Sequence, residues 1–216
     1  MTLRMYGFWR SIASFRVRVA LNLKGLAYEE MSIDILQGRQ FTPDFDKVNA
    51  AHAVPALIED DGHVLFQSLA ILEYLEETHP EPALMPRDPH ERAYARALAL
   101  ATVADTHPLM VPRIRKHLAE TFGADEEAIK TWVGHWIGKG LGTYERLFTR
   151  RPPAPFALGA TPGIADICIA GHAMSAQMFG LDLAAYPNFK ALSGRLFSLP
   201  EFADAHALKQ EGAAPH

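Results

Sequence analysis

Four prolines fall within ten residues, Pro80, Pro82, Pro86 and Pro89. No helix or strand interior tolerates that spacing, because each proline removes an amide donor and fixes its own φ. The chain of 216 residues is therefore divided there. Before the break, short alternating segments are interleaved with helical ones, whereas after it every apolar pattern repeats at helical spacing. Residues 1–80 are expected to form one domain, 81–89 a linker and 90–216 a second domain.

In the first part, Leu3 to Tyr6 reads as a strand, and Ile12, Phe15, Val19 and Leu23 mark a helix between Ser11 and Gly25. Tyr28 to Ile33 closes a βαβ unit, whose strands run parallel under the right-handed crossover rule. A short helix follows from Phe41 to Val48. Pro55 to Ile58 and Val64 to Phe66 flank Asp60-Asp61-Gly62 and predict an antiparallel hairpin, and a helix runs from Ser68 to Thr78. This β-α-β-α-β-β-α order describes an α/β unit with a mixed four-stranded sheet, the order of a thioredoxin-like domain.

The second part predicts an all-α bundle. Ala95, Leu98, Ala99, Thr102, Val103 and Thr106 share a helix face until Pro108 and Pro112 interrupt it. Further helices carry Ile129 to Phe148, Ile164 to Met178 and Phe189 to Leu196. Trp132, Trp136, Tyr144 and Phe148 form an aromatic stripe that reads as core. From Lys209 to His216 the chain reads as a fraying tail.

Composition removes whole classes of function. Hydrophobic residues at 49% and charged residues at 21% supply a core and exclude general disorder. A net charge of -4 without a basic run makes nucleic acid an unexpected partner. No apolar stretch reaches the roughly 18 residues of a membrane span. The N-terminus has no basic-then-apolar leader pattern, so a cytoplasmic protein without membrane association is expected. One cysteine, Cys168, and ten histidines without an H-E-x-x-H pair give no expectation of a metal.

Chemistry-bearing residues gather where strands end. Ser11 opens a helix just after the first strand, so its hydroxyl either caps the backbone or donates to an anion held at the positive helix end. Ser68, preceded by Gln67, repeats that placement after the fourth strand. Val54-Pro55 precedes the third strand as either a trans or a cis bond, and the cis form exposes the Val54 backbone to an extended peptide. Phe8 and Trp9 sit in the loop before Ser11 and are candidates to wall an apolar pocket.

The run Arg10-Ser11-Ile12-Ala13-Ser14-Phe15-Arg16-Val17-Arg18-Val19-Ala20-Leu21-Asn22-Leu23-Lys24-Gly25 resembles the opening motif of zeta-class glutathione transferases, the class that includes maleylacetoacetate and maleylpyruvate isomerases. Gln40-Phe41, Asn49 through Val54-Pro55, and Gln67-Ser68-Leu69-Ala70-Ile71-Leu72-Glu73-Tyr74 extend the similarity, and Gly159 through Asp166 resembles a capping-box segment of the helical domain. The resemblance implies glutathione as co-substrate or cofactor, with the helical domain forming the electrophile site. It makes Ser11 the catalytic hydroxyl facing the sulfur and pairs Val54 with the cysteinyl backbone. Gln67 and Ser68 would hold the γ-glutamyl end, and Gln40 and His52 the glycyl part. Beside Pro108 and Pro112, His107 either approaches glutathione or caps the break, and Arg113, like Arg10, either meets an acidic second substrate near Met178 or is solvated. A free thiol has a pKa of about 8.5, and lowering it by about two units, roughly 2.7 kcal/mol, makes thiolate the main form at neutral pH.

The sequence departs from the class at three places. Ser11-Ile12-Ala13 stands where it usually has Ser-Ser-Cys, Met178 where several members carry a carboxylate-binding arginine, and Gly163 where Ser or Thr is common. The first two departures favour conjugation to a small electrophile, with glutathione-dependent cis-trans isomerisation as the alternative and a non-catalytic binding module as a third reading. The resemblance also implies a homodimer, with Phe45 among the candidates for its interface.

Overall fold

The computed structural model describes residues 3–213. It divides into two compact units, one comprising Met1–Leu84 and Leu199–His216, the other Met85–Ser198.

The first unit contains β1 (Leu3–Gly7), α1 (Ile12–Leu23), β2 (Tyr28–Ser32), a 3-10 turn at Arg39–Phe41, α2 (Pro43–Val48), β3 (Ala56–Ile58), β4 (Val64–Phe66) and α3 (Ser68–Thr78). Its sheet has the order β2-β1-β3-β4, with β1 and β2 parallel and the other neighbours antiparallel. This is the mixed four-stranded sheet of a thioredoxin-like domain. Gly7 lies opposite Ser32, Tyr6 opposite Ala56, and Ala56 opposite Phe66. The ends of β1, β2 and β4 and the start of β3 therefore share one end of the sheet, and the segments that leave it carry residues 8–11, 33–55 and 67–68.

Apolar burial holds this end in place. Met5, Phe15, Val19, Leu57, Ile71, Leu72 and Leu75 are fully buried, each contributing on the order of 1.5–3 kcal/mol by leaving water. Phe45 is buried too, with its ring edge-on to Tyr6 at 5.8 Å. At the far side, Lys24 donates to Glu76 and to the Pro82 carbonyl, each at 2.7 Å, and Glu76 also accepts the Leu84 amide. The proline-rich segment is thus tied to α3 as far as Leu84.

The second unit is helical: α4 (Pro89–Val103), a 3-10 turn at His107–Leu109, α5 (Pro112–Phe122), α6 (Glu126–Phe148), α7 (Ile164–Met178) and α8 (Pro187–Phe197). The two expected proline breaks separate three pieces here, α4, the 3-10 turn and α5. Buried His172 on α7 bonds the Ile137 carbonyl at 3.0 Å and the Thr102 hydroxyl at 3.3 Å, joining α4, α6 and α7. Gly140 makes this approach possible, since a Cβ there would overlap the imidazole. Tyr144 is fully buried, whereas Trp132, Trp136 and Phe148 are half-buried. The aromatic stripe is core at its centre and borders solvent elsewhere.

A short α9 (Pro200–Ala205) then returns to the first unit, where Asn22 on α1 donates to the Glu201 carbonyl at 2.9 Å. Lys209 and Gln210 bond back to Asp204, and Gly212 lies against Trp9. The expected fraying from Lys209 does not begin there, and the last three residues of that tail lie outside the described residues. Among the described residues no helix is long and apolar enough to cross a membrane.

Candidate functional site

The common end of the sheet collects most of the residues singled out from sequence. Phe8, Trp9, Arg10, Ser11, Gln40, His52, Val54, Gln67 and Ser68 all belong to segments that start or finish there. In open α/β sheets, the carboxyl ends of strands are where ligands bind.

Ser11 is the N-cap of α1, with φ -74° and ψ 120°, and its Oγ accepts the Ser14 amide at 3.2 Å. Both sequence readings of this serine remain physically compatible, because a hydroxyl that accepts one bond still has its own proton to donate. Buried Ser14 does complementary work, accepting the Phe8 amide at 3.3 Å, while the Ser11 amide donates to the Phe8 carbonyl at 2.9 Å. Phe8 is buried with Trp9 packed against it at 5.8 Å, and the Arg10 guanidinium stands over the Trp9 ring at 5.4 Å. Ser14 was not singled out in the sequence, and the only signal was its place three residues after a candidate cap.

The start of α3 differs from expectation by one residue. Gln67, not Ser68, is the N-cap, with φ 70° and ψ 114° and no side-chain capping bond. A non-glycine residue in that region is strained, typically by on the order of 1–3 kcal/mol, and such strain concentrates at ligand sites. Ser68 is the first helical residue and is buried; its Oγ accepts from Arg16 Nη1 at 3.3 Å. Arg16 thus holds the α3 start within its own unit.

Between β2 and β3 lie the remaining candidates of the first unit. The Val54–Pro55 bond is cis, the second of the two forms left open by sequence. Gln40 has a buried Oε1 without a hydrogen-bond partner, a group whose desolvation calls for a donor. His52 has φ 50°, bonds Asp46 at 2.8 Å and meets the Phe41 ring edge-on at 5.2 Å. Phe41 itself is 65% exposed.

The second unit carries His107 in its 3-10 turn, exposed Arg113 in the first turn of α5, and half-buried Met178 as the last residue of α7. A cation not singled out in the sequence accompanies them: Arg115 on α5 places its guanidinium 5.6 Å from the ring centre of Phe179, the residue after Met178. At the other end of α7, Asp166 accepts the Gly163 amide at 3.0 Å and the Ala157 amide at 2.9 Å. Gly163 has no side chain to return the bond, so half of a capping box is present. Burial pushes the Asp166 carboxyl up to about 6 against the opposing pull of those amides. Among the described residues no group of three or more His, Cys, Asp or Glu is arranged to hold a metal.

Residues 1–77 match the family model "Glutathione S-transferase, N-terminal domain". A probable maleylacetoacetate isomerase of Vibrio cholerae is 39% identical, over 99% of this chain and 99% of that protein. The structure of maleylacetoacetate isomerase from Methylobacterium extorquens AM1 with bound malonate and GSH is 45% identical, with a TM-score of 0.95 over 98% of this chain and 100% of that one. The holo structure of maleyl pyruvate isomerase, a bacterial glutathione S-transferase of the zeta class, is 39% identical, with a TM-score of 0.94 over 98% and 100% of the two chains.

Proposed function

This chain belongs to the zeta class of the glutathione S-transferase family, an enzyme family, and from that premise we propose that it is a glutathione-dependent cis-trans isomerase of a maleyl-substituted oxo acid. The names of its relatives support isomerisation over the conjugation favoured by Ala13 and Met178. The observation that carries the reading is the arrangement at one end of the sheet: a capping Ser11 with a spare hydroxyl proton, an orphaned Gln40 Oε1, and a strained Gln67 heading an uncapped helix.

These groups fit the tripeptide. Ser11 donates its hydroxyl to the sulfur, with the positive end of α1 adding to the field. The uncapped amides of α3, with the Gln67 side chain, receive the γ-glutamyl carboxylate, and Ser68 is held by Arg16 to fix that turn. Gln40 Oε1 accepts from the ligand's backbone, His52 borders the glycyl end, and Val54 pairs with the cysteinyl backbone. Bound there, glutathione would supply a thiolate able to add reversibly to an activated double bond and to leave again as thiolate.

The substrate's carboxylates require cations. In the second unit, Arg115, beside the residue that follows Met178, is proposed to supply the charge missing at Met178, with Arg113 as the other candidate; in the first unit Arg10 is the basic candidate, with Phe8 and Trp9 as its apolar neighbours. Conjugation of glutathione to another electrophile is the second reading, favoured by Met178 itself. The protein is further proposed to act as a cytoplasmic homodimer, which sedimentation at twice the chain mass would support.

The experiment is turnover of maleylpyruvate and maleylacetone by the purified full chain, with a glutathione-free blank and Arg115→Gln. Turnover only with glutathione, and a KM about tenfold or more higher in Arg115→Gln, supports the isomerase. Glutathione binding without turnover of either substrate would move the function to conjugation.

A further inference from the structure

We propose that Arg18, buried in the middle of α1, is the positioning residue that sets where Ser11 stands, and that Glu30 and Gly7 belong to the same device. The proposal rests on the reading of Ser11 as the group that meets the sulfur.

Arg18 is fully buried, and its guanidinium reaches in two directions. On one side it grips Glu30 of β2 through both carboxylate oxygens, Nε to Oε2 at 2.8 Å and Nη2 to Oε1 at 2.6 Å. On the other side Nη2 donates to the Phe8 carbonyl at 3.1 Å, and Nη1 reaches the Trp9 carbonyl at 3.4 Å. Those carbonyls belong to the loop that delivers Ser11, and the Phe8 carbonyl is also the acceptor of the Ser11 amide. The chain of contacts runs from Glu30 through Arg18 to Phe8 and Ser11, and returns through Ser14 to both Phe8 and the Ser11 hydroxyl.

Charge and shape explain why an arginine is needed. Glu30 neutralises the buried cation, so Arg18 acts on the loop chiefly as a rigid planar fork. A lysine retains the charge yet cannot span the carboxylate and two carbonyls from one plane. Gly7 completes the arrangement, since a Cβ at that position would overlap the Glu30 carboxylate. The requirement there is for space, because Gly7 is not among the glycines with positive φ. Displacing a reacting group by about 1 Å costs on the order of a hundredfold in rate, so a fork that fixes two loop carbonyls bears directly on the hydroxyl that follows them.

The test uses the full chain as wild type, Arg18→Lys, Glu30→Gln, Gly7→Ala and Ser11→Ala, with two readouts other than turnover. The first is amide hydrogen exchange without glutathione. Segment 8–14 is expected to exchange about tenfold faster in Arg18→Lys and Glu30→Gln, the scale of one lost charged hydrogen bond, while segment 66–70 keeps its wild-type rate. The second is a pH titration of the ultraviolet thiolate absorbance of bound glutathione, whose pKa is expected to rise by about one unit in Arg18→Lys and in Ser11→Ala. A merely structural ion pair would speed exchange in both segments equally and leave the thiol pKa at its wild-type value, and that result overturns the proposal. If Arg18→Lys does not fold, Glu30→Gln and Gly7→Ala decide by the same two readouts. If Ser11→Ala leaves the thiol pKa unmoved, the Ser11 reading fails, and exchange in segment 8–14 still reports whether Arg18 orders the loop.

Discussion

Two helices of the first unit begin directly after a strand, at the same end of the sheet and beside a serine, yet they begin in different ways. At α1 the serine is the cap itself: Ser11 is extended and unstrained, and it accepts the Ser14 amide. At α3 the serine lies one residue inside the helix, and the cap is Gln67, held at positive φ without a side-chain bond to the backbone. The first start keeps a hydroxyl proton to give away, and the second leaves its backbone amides to something other than the chain. A thiolate and a carboxylate, the two negative groups to be held apart, match that difference.

The largest expected effect comes from removing the hydroxyl at the first start. Ser11→Ala should lower kcat/KM for isomerisation by about a hundred- to a thousandfold, the usual scale for one lost donor at a developing or resident anion. The cap loss should cost only about 1 kcal/mol of stability in a denaturant melt. A comparable loss of stability with unchanged turnover would reduce Ser11 to a cap and erase the contrast.

A third helix start sharpens the contrast, because α7 is capped from within by Asp166. Asp166→Asn should cost about 1–3 kcal/mol at neutral pH by leaving a buried amide poorly paired, with glutathione affinity unchanged. Its pH dependence has a definite sign. The folded carboxyl sits at about 6, above its unfolded value of about 3.9, so the folded state holds the proton more tightly. That contribution is fully present below the unfolded value and is lost as the pH rises through about 6. The stability gap between wild type and Asp166→Asn should therefore narrow by roughly 2 kcal/mol from pH 4.5 to pH 7.5, read from melts at the two pH values.

The smallest effect is expected at α3. Gln67→Gly relieves the positive φ and should stabilise the protein by about 1 kcal/mol, while glutathione affinity falls about tenfold with the lost amide side chain. Calorimetry and a thermal melt together separate these opposite signs. A variant that loses both stability and affinity would mean that the conformation of Gln67 is not held at a cost.

Much of this was legible in the residues. Periodicity and turn chemistry carried the sheet and its helices, because each strand and helix within residues 1–80 is marked by its own local pattern, and the resemblance over residues 10–25 pointed to Ser11. What remained hidden depends on distant pairing. Gln67 as a strained cap is invisible locally, since no propensity marks a glutamine for positive φ. Arg115 beside Phe179 joins α5 to the residue that follows α7, and Arg16 beside Ser68 joins α1 to α3. The α9 return to α1 pairs Asn22 with Glu201, residues far apart in sequence, and no local pattern announces it.

The division of labour between the two helix starts is tested most directly by calorimetric titration of glutathione and of cysteinylglycine, which lacks the γ-glutamyl group, into wild type and Gln67→Gly. The account predicts that cysteinylglycine binds wild type at least about tenfold more weakly than glutathione does, and that Gln67→Gly leaves its affinity unchanged while weakening that of glutathione. Equal binding of the two peptides by wild type, or an equal loss for both in Gln67→Gly, would contradict it.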